Sequence, residues 1–291
     1  MNKENKIVRK AKISNTVITT IIITTLVIFA FLEIFPFYLS LVQSLQPKGF
    51  LQLNKIELLP QSFSFKNYAI AWRDSNLGMG FLWSLIYSTS FTLLTAIIAL
   101  VCAYCFSKKN FYGKKIVFWI FMSALMVPGE ILLIANYLLI TDLGLLKSPL
   151  AVVIPGLVSI FGIYLFKQFM ESIPNSLIES AKIDGANELK VIFRIVAPLT
   201  LPAIITYSIM TFTAQWNEYL WPQLVLADAS QYYNVQLKLL LYRPIIDGNI
   251  SHPYAYALRM SATMITLIPV LVFYFIFQKH YTDGITISGL K

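Results

Sequence analysis

The chain has 291 residues, of which 57% are hydrophobic and 13% are charged, and its mean hydropathy of +0.67 excludes an ordinary soluble domain. Its net charge of +9 does not indicate nucleic-acid binding, because the basic residues cluster beside apolar runs and form no single face. The two cysteines, Cys102 and Cys105, lie together inside an apolar run, so an integral membrane protein without zinc or redox chemistry is predicted.

The N-terminal section, residues 1–43, combines a basic start with an apolar run from about residue 17 to 42. The run is too long for a signal peptide and lacks a small-residue cleavage site, so it predicts a first transmembrane helix. The basic start places the N-terminus in the cytosol. Glu33 is a carboxylate inside this span, and the sequence does not identify its partner. The polar and aromatic residues 44–79 then form an extracytoplasmic loop.

The second span is predicted at 80–106, and the lysines that follow it at 108, 109, 114 and 115 fix the next turn in the cytosol. The third span, at 116–140, contains Pro128-Gly129-Glu130, which predicts a loosened helix with a carboxylate beside the break. Such a site favours either ion binding or a kink satisfied by neighbouring helices. A short outer loop precedes the fourth span at 149–169.

Residues 174–197 form a polar loop in which local signals predict two short helices. Ser176 and Glu179 have the spacing of a capping box that opens the first helix, and Gly185 ends it. Asn187 and Glu188 then cap and charge the start of the second helix. One apolar face is predicted by helical spacing at Leu177, Ala181, Leu189, Ile192 and Val196. Pattern alone is compatible with an amphipathic helix that rests on the membrane surface.

The fifth span is predicted from Pro198 to about Leu220 and carries a polar stripe on one side. Its members at helical spacing are Ser208, Thr211, Gln215 and Glu218. They serve either helix packing or the path of a polar substrate, and both interpretations stay open. Residues 223–255 are predicted outside, and a sixth span at 258–277 returns the chain to a cytosolic tail at 281–291.

The loop also has a spacing that is specific to one family. Glu179-Ser180-Ala181 is followed by Gly185, four residues after the alanine, and then by Ile195 and Pro198. This pattern resembles the EAA loop of ABC importer membrane subunits, with Ser180 where that family has alanine. In that family the loop is a coupling helix that docks into a cleft of the cytosolic ATPase. The resemblance therefore implies ATPase contacts at Glu179, Ser180, Ala181, Asp184 and Gly185.

Further segments match the same family in order: AYCFSKKNFYGKK at 103–115, Pro-Gly-Glu at 128–130, TDLGL at 141–145 and WNEYLWP at 216–222. The chain resembles a carbohydrate-type ABC importer permease, most like the second membrane subunit of maltose and multiple-sugar systems. This implies an all-α, type I importer fold with six transmembrane helices, five of them in a core domain at 80–280. It also implies tail contacts with the ATPase at Gly289 and Lys291. The residues implied for the translocation path are Ser208, Thr211, Gln215, Asn217 and Glu218.

The partners follow from the same resemblance. The sequence contains no phosphate-binding loop, so ATP hydrolysis is expected in a separate subunit, and no cofactor is expected here. The expected partners are a second permease, two ATPase subunits, an extracytoplasmic substrate-binding protein and membrane lipid. The expected location is the bacterial cell membrane, with both termini in the cytosol. Glycerol phosphate or another polyol is an alternative substrate.

Two other classes of protein compete with the importer. An ion-coupled secondary transporter could use Glu33, Glu130 or Glu218, but the two halves of the chain show no convincing internal repeat. A membrane enzyme would need clustered nucleophiles, bases or metal ligands, and the sequence offers none.

Overall fold

The computed structural model describes residues 3–48, 58–60, 62–249 and 252–288, with side chains for 17–48, 58–60, 62–249 and 252–278. Across these ranges the chain is helical, and its only extended pairing is an isolated bridge between Ile246 and Asn249. The chain divides into two compact units: residues 1–74 with 243–265, and residues 75–242 with 266–291.

The helices follow one another with short connections. Their bounds are α1 Lys3–Ser44, α2 Lys66–Asp74, α3 Leu77–Lys108, α4 Lys114–Ala124, α5 Leu133–Asp142, α6 Pro149–Val153, α7 Ile160–Glu171, α8 Asn175–Ile183, α9 Glu188–Val191, α10 Ala197–Leu199, α11 Leu201–Asn217, α12 Leu220–Leu226, α13 Val235–Leu241 and α14 Pro253–Ser288. Short 3₁₀ turns cover Gly129–Leu132 and Ser230–Tyr232, and a π-helical turn covers Ile192–Val196.

Three stretches are long and apolar enough to cross a membrane: Val17–Ser44, Leu77–Lys108 and Pro253–Gln278. They lie where the first, second and sixth spans are predicted. Two bent pairs raise the count to five if each pair is one span. The pairs are α4 with Gly129–Asp142, bent by 93°, and Glu188–Leu199 with α11, bent by 83°. The all-α membrane fold is confirmed, while the count of six spans stays a prediction.

The third and fourth predicted spans are not continuous helices. Pro128 has ψ 136°, which is outside the helical range. Proline also lacks the N–H that would continue the helical hydrogen bonds, so the helix is interrupted there. The predicted kink is therefore a right-angle break. The fourth span is divided into α6 and α7 at Pro155-Gly156, where Gly156 has φ +82°, a break that the sequence analysis did not predict. Ser159 then caps α7 by accepting the Gly162 N–H at 3.1 Å.

The fifth span also has different bounds. Its long helix, α11, begins at Leu201 and ends at Asn217, whereas Pro198 and Leu220 were predicted as the ends. Thr200 lies fully buried at the bend before α11, and its hydroxyl donates to the Val196 carbonyl at 2.8 Å. Glu218 follows the helix with ψ 128°, so it is not a member of the helical stripe.

The core of the second unit is centred on α3, which packs against α7 and α11. Gly162 of α7 is buried where an added Cβ would lie 2.7 Å from the ring of Tyr207 on α11. The Tyr207 ring in turn packs edge-on against Phe166, with 5.2 Å between ring centroids. The absence of a side chain at Gly162 therefore lets two helices approach closely.

The first unit is held together by a buried amide. Asn67 of α2 is fully buried, and its Nδ2 donates to the carbonyls of Ser44 and Gln46 at 2.8 Å each. Its Oδ1 accepts from the Tyr254 hydroxyl of α14 at 2.8 Å. One side chain thus joins the end of α1, α2 and the start of α14. A buried amide must have its hydrogen bonds satisfied, so these three contacts depend on one another.

Candidate functional site

The predicted loop is built around α8 and its left-handed end. Gly185 has φ +80°, and its N–H donates to the Lys182 carbonyl at 3.0 Å. The Ala186 N–H donates to the Ala181 carbonyl at 2.9 Å, which completes a Schellman motif. Glycine is favoured at this position because its backbone reaches positive φ without strain. The local prediction that Gly185 ends the first helix agrees with this geometry.

The proposed ATPase-contact residues surround the end of α8. Glu179, Ser180, Asp184 and Gly185 are exposed, and Ala181 is half-buried. Ile183 lies among them with 85% of its surface exposed. A single exposed isoleucine is common on protein surfaces, but here it lies between motif residues and offers an apolar side chain to a partner protein. The sequence analysis missed Ile183, although its position between the motif alanine and glycine was available as a signal.

One local prediction for this loop is wrong, and the predicted apolar face holds at Ala181, Ile192 and Val196 but not at Leu177 and Leu189. α8 begins at Asn175 after Pro174, so Ser176 lies inside the helix and forms no capping box with Glu179. The side chain of Ile178 is buried, whereas Leu177 and Leu189 are 47% and 61% exposed. The buried side of α8 is therefore set by Ile178 and Ala181, which face the core.

The base of the loop is joined to the end of α3 by an ionic cluster. The Glu188 carboxylate accepts from Lys109 Nζ, from Lys182 Nζ at 2.9 Å and from the Tyr104 hydroxyl at 2.8 Å. These hydrogen bonds, chiefly those from Lys109 and then Lys182, lower the pKa of Glu188 to about 2. Lys108 adds a bond to the Ile173 carbonyl at 2.5 Å. The loop is thus bonded to the end of α3 at its base and exposed at its end.

The start of α9 agrees with the sequence prediction. Asn187 Oδ1 accepts from the Lys190 N–H at 2.9 Å, which is the bond of an N-cap residue. Glu188 occupies the first turn, where its negative charge interacts favourably with the positive end of the helix dipole. The π-helical turn and the bend at Thr200 follow directly, so the loop continues into α11.

A polar cavity of about 320 Å³ lies where three interruptions of the helices meet. The interruptions are those at Gly129-Glu130, at Pro155-Gly156 and at the junction of α11 with α12. Its polar lining residues are Glu130, Asn136, Gln215 and Glu218, and its aromatic lining residues are Phe91 and Trp221. Interrupted helices are tolerated at membrane depth where they line a cavity, so this geometry favours a solute path.

Three hydrogen bonds fix the wall of this cavity beside α12. Glu218 Oε1 accepts from the Trp221 N–H at 3.0 Å, and the Glu218 carbonyl accepts from Asn234 Nδ2 at 2.6 Å. The Trp221 indole donates to the Ala151 carbonyl at 2.9 Å. These bonds hold the carboxylate and the indole ring in fixed positions.

The predicted polar stripe is divided between two environments. Gln215 and Glu218 line the polar cavity, whereas Ser208 lines an apolar groove with Leu93 and Phe273. Thr211 is half-buried, and the exposed Asn217 donates to the Thr213 carbonyl at 3.0 Å. Asn136 and Trp221 are cavity residues that the sequence analysis did not select. Trp221 was noted only within a family motif.

Gly289 and Lys291, the proposed tail contacts, lie outside the described residues. Within the described ranges, no group of three or more His, Cys, Asp or Glu side chains could hold a metal ion.

Comparisons with known proteins agree with this architecture. The family described as binding-protein-dependent transport system inner membrane component matches residues 95–286. The arabinooligosaccharides transport system permease protein AraQ of Bacillus subtilis is 29% identical over 89% of this chain and 91% of its own. The sn-glycerol-3-phosphate transport system permease protein UgpE of Yersinia pestis is 27% identical over 90% of this chain and 94% of its own.

One solved structure extends the likeness to the fold. A bacterial ABC transporter involved in the import of the acidic polysaccharide alginate matches with a TM-score of 0.79 at 23% identity. The match covers 92% of this chain and 98% of the other, so the two chains share a fold over nearly their whole length.

Proposed function

The chain belongs to the family of binding-protein-dependent transport system inner membrane components, and from this premise we propose how it works as a sugar importer permease. It is a multi-pass membrane subunit of an ABC importer and is not itself the enzyme that hydrolyses ATP. We propose that two ATPase subunits, a second permease and an extracytoplasmic binding protein complete the assembly. Both termini of this chain would then lie in the cytosol.

Coupling to the ATPase is assigned to the exposed end of α8. The observation that carries this proposal is that the motif residues Glu179 and Gly185 lie beside the exposed Ile183, while the base of the loop is fixed by Glu188. An exposed apolar side chain beside charged residues suits a cleft in a partner protein. A fixed base lets movement of the partner displace α3 as well, because the loop is bonded to the end of that helix.

Transport across the membrane is assigned to the cavity lined by Glu130, Asn136, Gln215 and Glu218. Carboxylates accept hydrogen bonds from sugar hydroxyls, and carboxamides both accept and donate them. Aromatic side chains supply the apolar surface that completes such a site. We propose that ATP-driven movement of the coupling loop opens this cavity alternately to the two sides.

A test of coupling uses Ile183→Ser in the complex purified in mild detergent. We expect the variant to retain the second permease and to lose most of the bound ATPase, because the apolar contact is removed. Leu143→Ser is the matched control, since Leu143 is also exposed but lies in the predicted outer loop. ATPase retention equal to that of the control would contradict the assignment.

A test of the path uses Gln215→Ala, with Thr211→Ala as its comparison. Gln215 lines the polar cavity, and Thr211, one turn earlier on α11, is not among the residues that line it. We expect uptake to fall severalfold in the Gln215 variant and little in the Thr211 variant, with assembly intact in both. Loss of assembly in the Gln215 variant would favour a packing role.

A further inference from the structure

The loop between α1 and α2 exposes large apolar side chains. Leu58, Leu59, Phe63 and Phe65 are each between 55% and 73% exposed. No residue from 58 to 65 is charged. Single exposed apolar residues are ordinary on a protein surface, but four of them within one short stretch form a patch that needs a partner. Residues 58–65 are called the apolar loop segment below.

Both ends of the apolar loop segment are attached to the end of α1. The Tyr38 hydroxyl donates to the Leu58 carbonyl at 2.5 Å, and the Ser64 N–H donates to the Leu45 carbonyl at 2.8 Å. Directly after the segment, the buried amide of Asn67 is bonded to carbonyls at the end of α1. The segment therefore cannot move away from the first span without the loss of these bonds.

The length of α1 gives the depth at which the segment lies. The stretch Val17–Ser44 has 28 residues and is about 42 Å long, whereas the hydrocarbon core of a bilayer is about 30 Å thick. Tyr38 lies about 32 Å along the helix from Val17, so it falls at the boundary with the headgroups, where tyrosine is enriched. The hydrogen bond from Tyr38 places Leu58 at the same depth. The chain thus returns from the end of α1 to the membrane interface.

We infer that the apolar loop segment inserts into the membrane interface and binds the phospholipids of the leaflet in which α1 ends. This is the outer leaflet under the predicted orientation, and the inference does not depend on the proposed solute path. Leucine and phenylalanine side chains gain free energy when they leave water for the boundary between headgroups and acyl chains. The carbonyls of Leu58 and Leu45 already have donors, which lowers the cost of insertion. The patch also continues the exposed apolar surface of α1 at Phe37 and Leu41.

The position of the segment favours lipid over a soluble protein as its partner. Lys48, which follows α1, forms an ion pair with Asp247 at 2.9 Å, and both side chains are more than half exposed. An exposed ion pair of this kind belongs in water, so the aqueous side begins beyond the end of α1. A binding protein approaches from that side, whereas the bond to Tyr38 holds the segment back toward the bilayer.

Spin labels at single cysteines can test this placement. Cys102 and Cys105 are first replaced by alanine, and a label is attached at Phe63→Cys or at Leu59→Cys. The control is Lys48→Cys, which is exposed in the same compact unit but lies beyond the end of α1. The complete importer with its binding protein is placed in vesicles of phosphatidylethanolamine and phosphatidylglycerol. Power saturation then measures collisions of each label with oxygen, which concentrates in the bilayer, and with a nickel chelate, which stays in water.

The ratio of the two collision rates distinguishes lipid from the other partners. We expect oxygen to be preferred at Phe63→Cys and Leu59→Cys, with a ratio severalfold higher than at Lys48→Cys. A preference for the nickel chelate at both loop positions would show that the segment lies in water and would overturn the inference. Low access of both reagents would show that the second permease or the binding protein covers the segment, which would overturn it as well.

A second set of variants tests whether the apolar side chains themselves hold the segment in the interface. The label at Leu59→Cys is measured in a Phe63→Ser/Phe65→Ser background. We expect the ratio of oxygen to nickel collisions to fall severalfold toward the value at Lys48→Cys, because two of the four apolar side chains are lost. Ile245→Ser is the matched background, since Ile245 is 64% exposed in the same unit but lies outside the segment. An equal ratio in the two backgrounds would show that the backbone bonds alone set the depth, and the anchoring role would be wrong.

Discussion

At the scale of single residues, the loop combines an exposed end with a bonded base. Gly185 fixes where α8 ends, and Glu188 fixes where the loop is attached, and the two do so by different physical means. Gly185 acts through backbone conformation at φ +80°. Glu188 acts through three donors, two of them on α3 or just after it. Each role can therefore be removed separately.

The first prediction concerns Gly185. An added Cβ there would meet nothing within 4 Å in this chain, so substitution tests backbone conformation and partner contact only. Alanine at positive φ costs about 1–2 kcal/mol, while asparagine tolerates this conformation better. If backbone conformation dominates, the transport rate should be highest with glycine, lower with asparagine and lowest with alanine at this position. If the ATPase surface lies close, asparagine should be worse than alanine. Normal uptake by Gly185→Leu would contradict both roles.

The second prediction concerns the pH dependence of the loop. The bonds to Lys109, Lys182 and Tyr104 hold the pKa of Glu188 near 2, below its ordinary value. The stabilising contribution is therefore present above the ordinary pKa and is lost only as the pH falls toward about 2. A spin label at Asp184→Cys should show constant mobility from pH 7 to about pH 4. Mobility that rises within this range would show that Glu188 does not fix the loop.

A matched pair of variants isolates the same contact at neutral pH. At neutral pH, Glu188→Gln should raise the mobility of the label at Asp184→Cys, because both lysine ion pairs are lost. Asp228→Asn breaks an exposed ion pair with Lys147 that shares no residue with the loop, so it should have no effect on the label.

At the scale of elements, the sequence predicts apolar segments better than it predicts their interruptions. The first and second predicted spans fall within a few residues of the apolar stretches Val17–Ser44 and Leu77–Lys108, because uniform apolar runs leave few alternatives. The break at Pro155-Gly156 was missed, although a proline followed by glycine is a strong turn signal. The cavity could not be predicted, since it depends on three breaks that meet only in the folded chain.

The third prediction tests the close approach of α7 and α11. Gly162→Ala would place a Cβ 2.7 Å from the Tyr207 ring, so the buried ring or the helix must move. Overpacking of this kind costs about 1–3 kcal/mol, and we expect a lower melting temperature of the purified complex. Gly129→Ala is the control for stability, because a Cβ there would meet nothing within 4 Å. An unchanged melting temperature for Gly162→Ala would contradict the packing described.

At the scale of the whole molecule, the family match replaces the ion-coupled transporter as the interpretation of the intramembrane carboxylates. The order of motifs along the chain was sufficient to predict the family, because each motif fell on a side of the membrane that the lysines assign independently. The fold alone does not say which side of the membrane the termini face, so their orientation stays a prediction.

The fourth prediction tests that orientation with single cysteines in a chain whose Cys102 and Cys105 are replaced. Asp228 and Tyr112 both have fully exposed side chains, which makes them a matched pair for labelling. In intact cells, Asp228→Cys should react with an impermeant thiol reagent and Tyr112→Cys should not. Both should react after the cells are opened. Labelling of Tyr112→Cys alone in intact cells would reverse the topology.

The exposed carboxylate of Glu130 has a consequence for how the cell makes this protein. An acidic side chain at membrane depth is expensive unless protein or water surrounds it. Glu130 is exposed in this chain taken alone, so we expect the proposed second permease to cover it or to close a wet cavity around it. A copy that does not assemble with such a subunit would keep this carboxylate uncovered in the bilayer. Synthesis of the two permeases in matched amounts would therefore protect this chain from removal by membrane proteases.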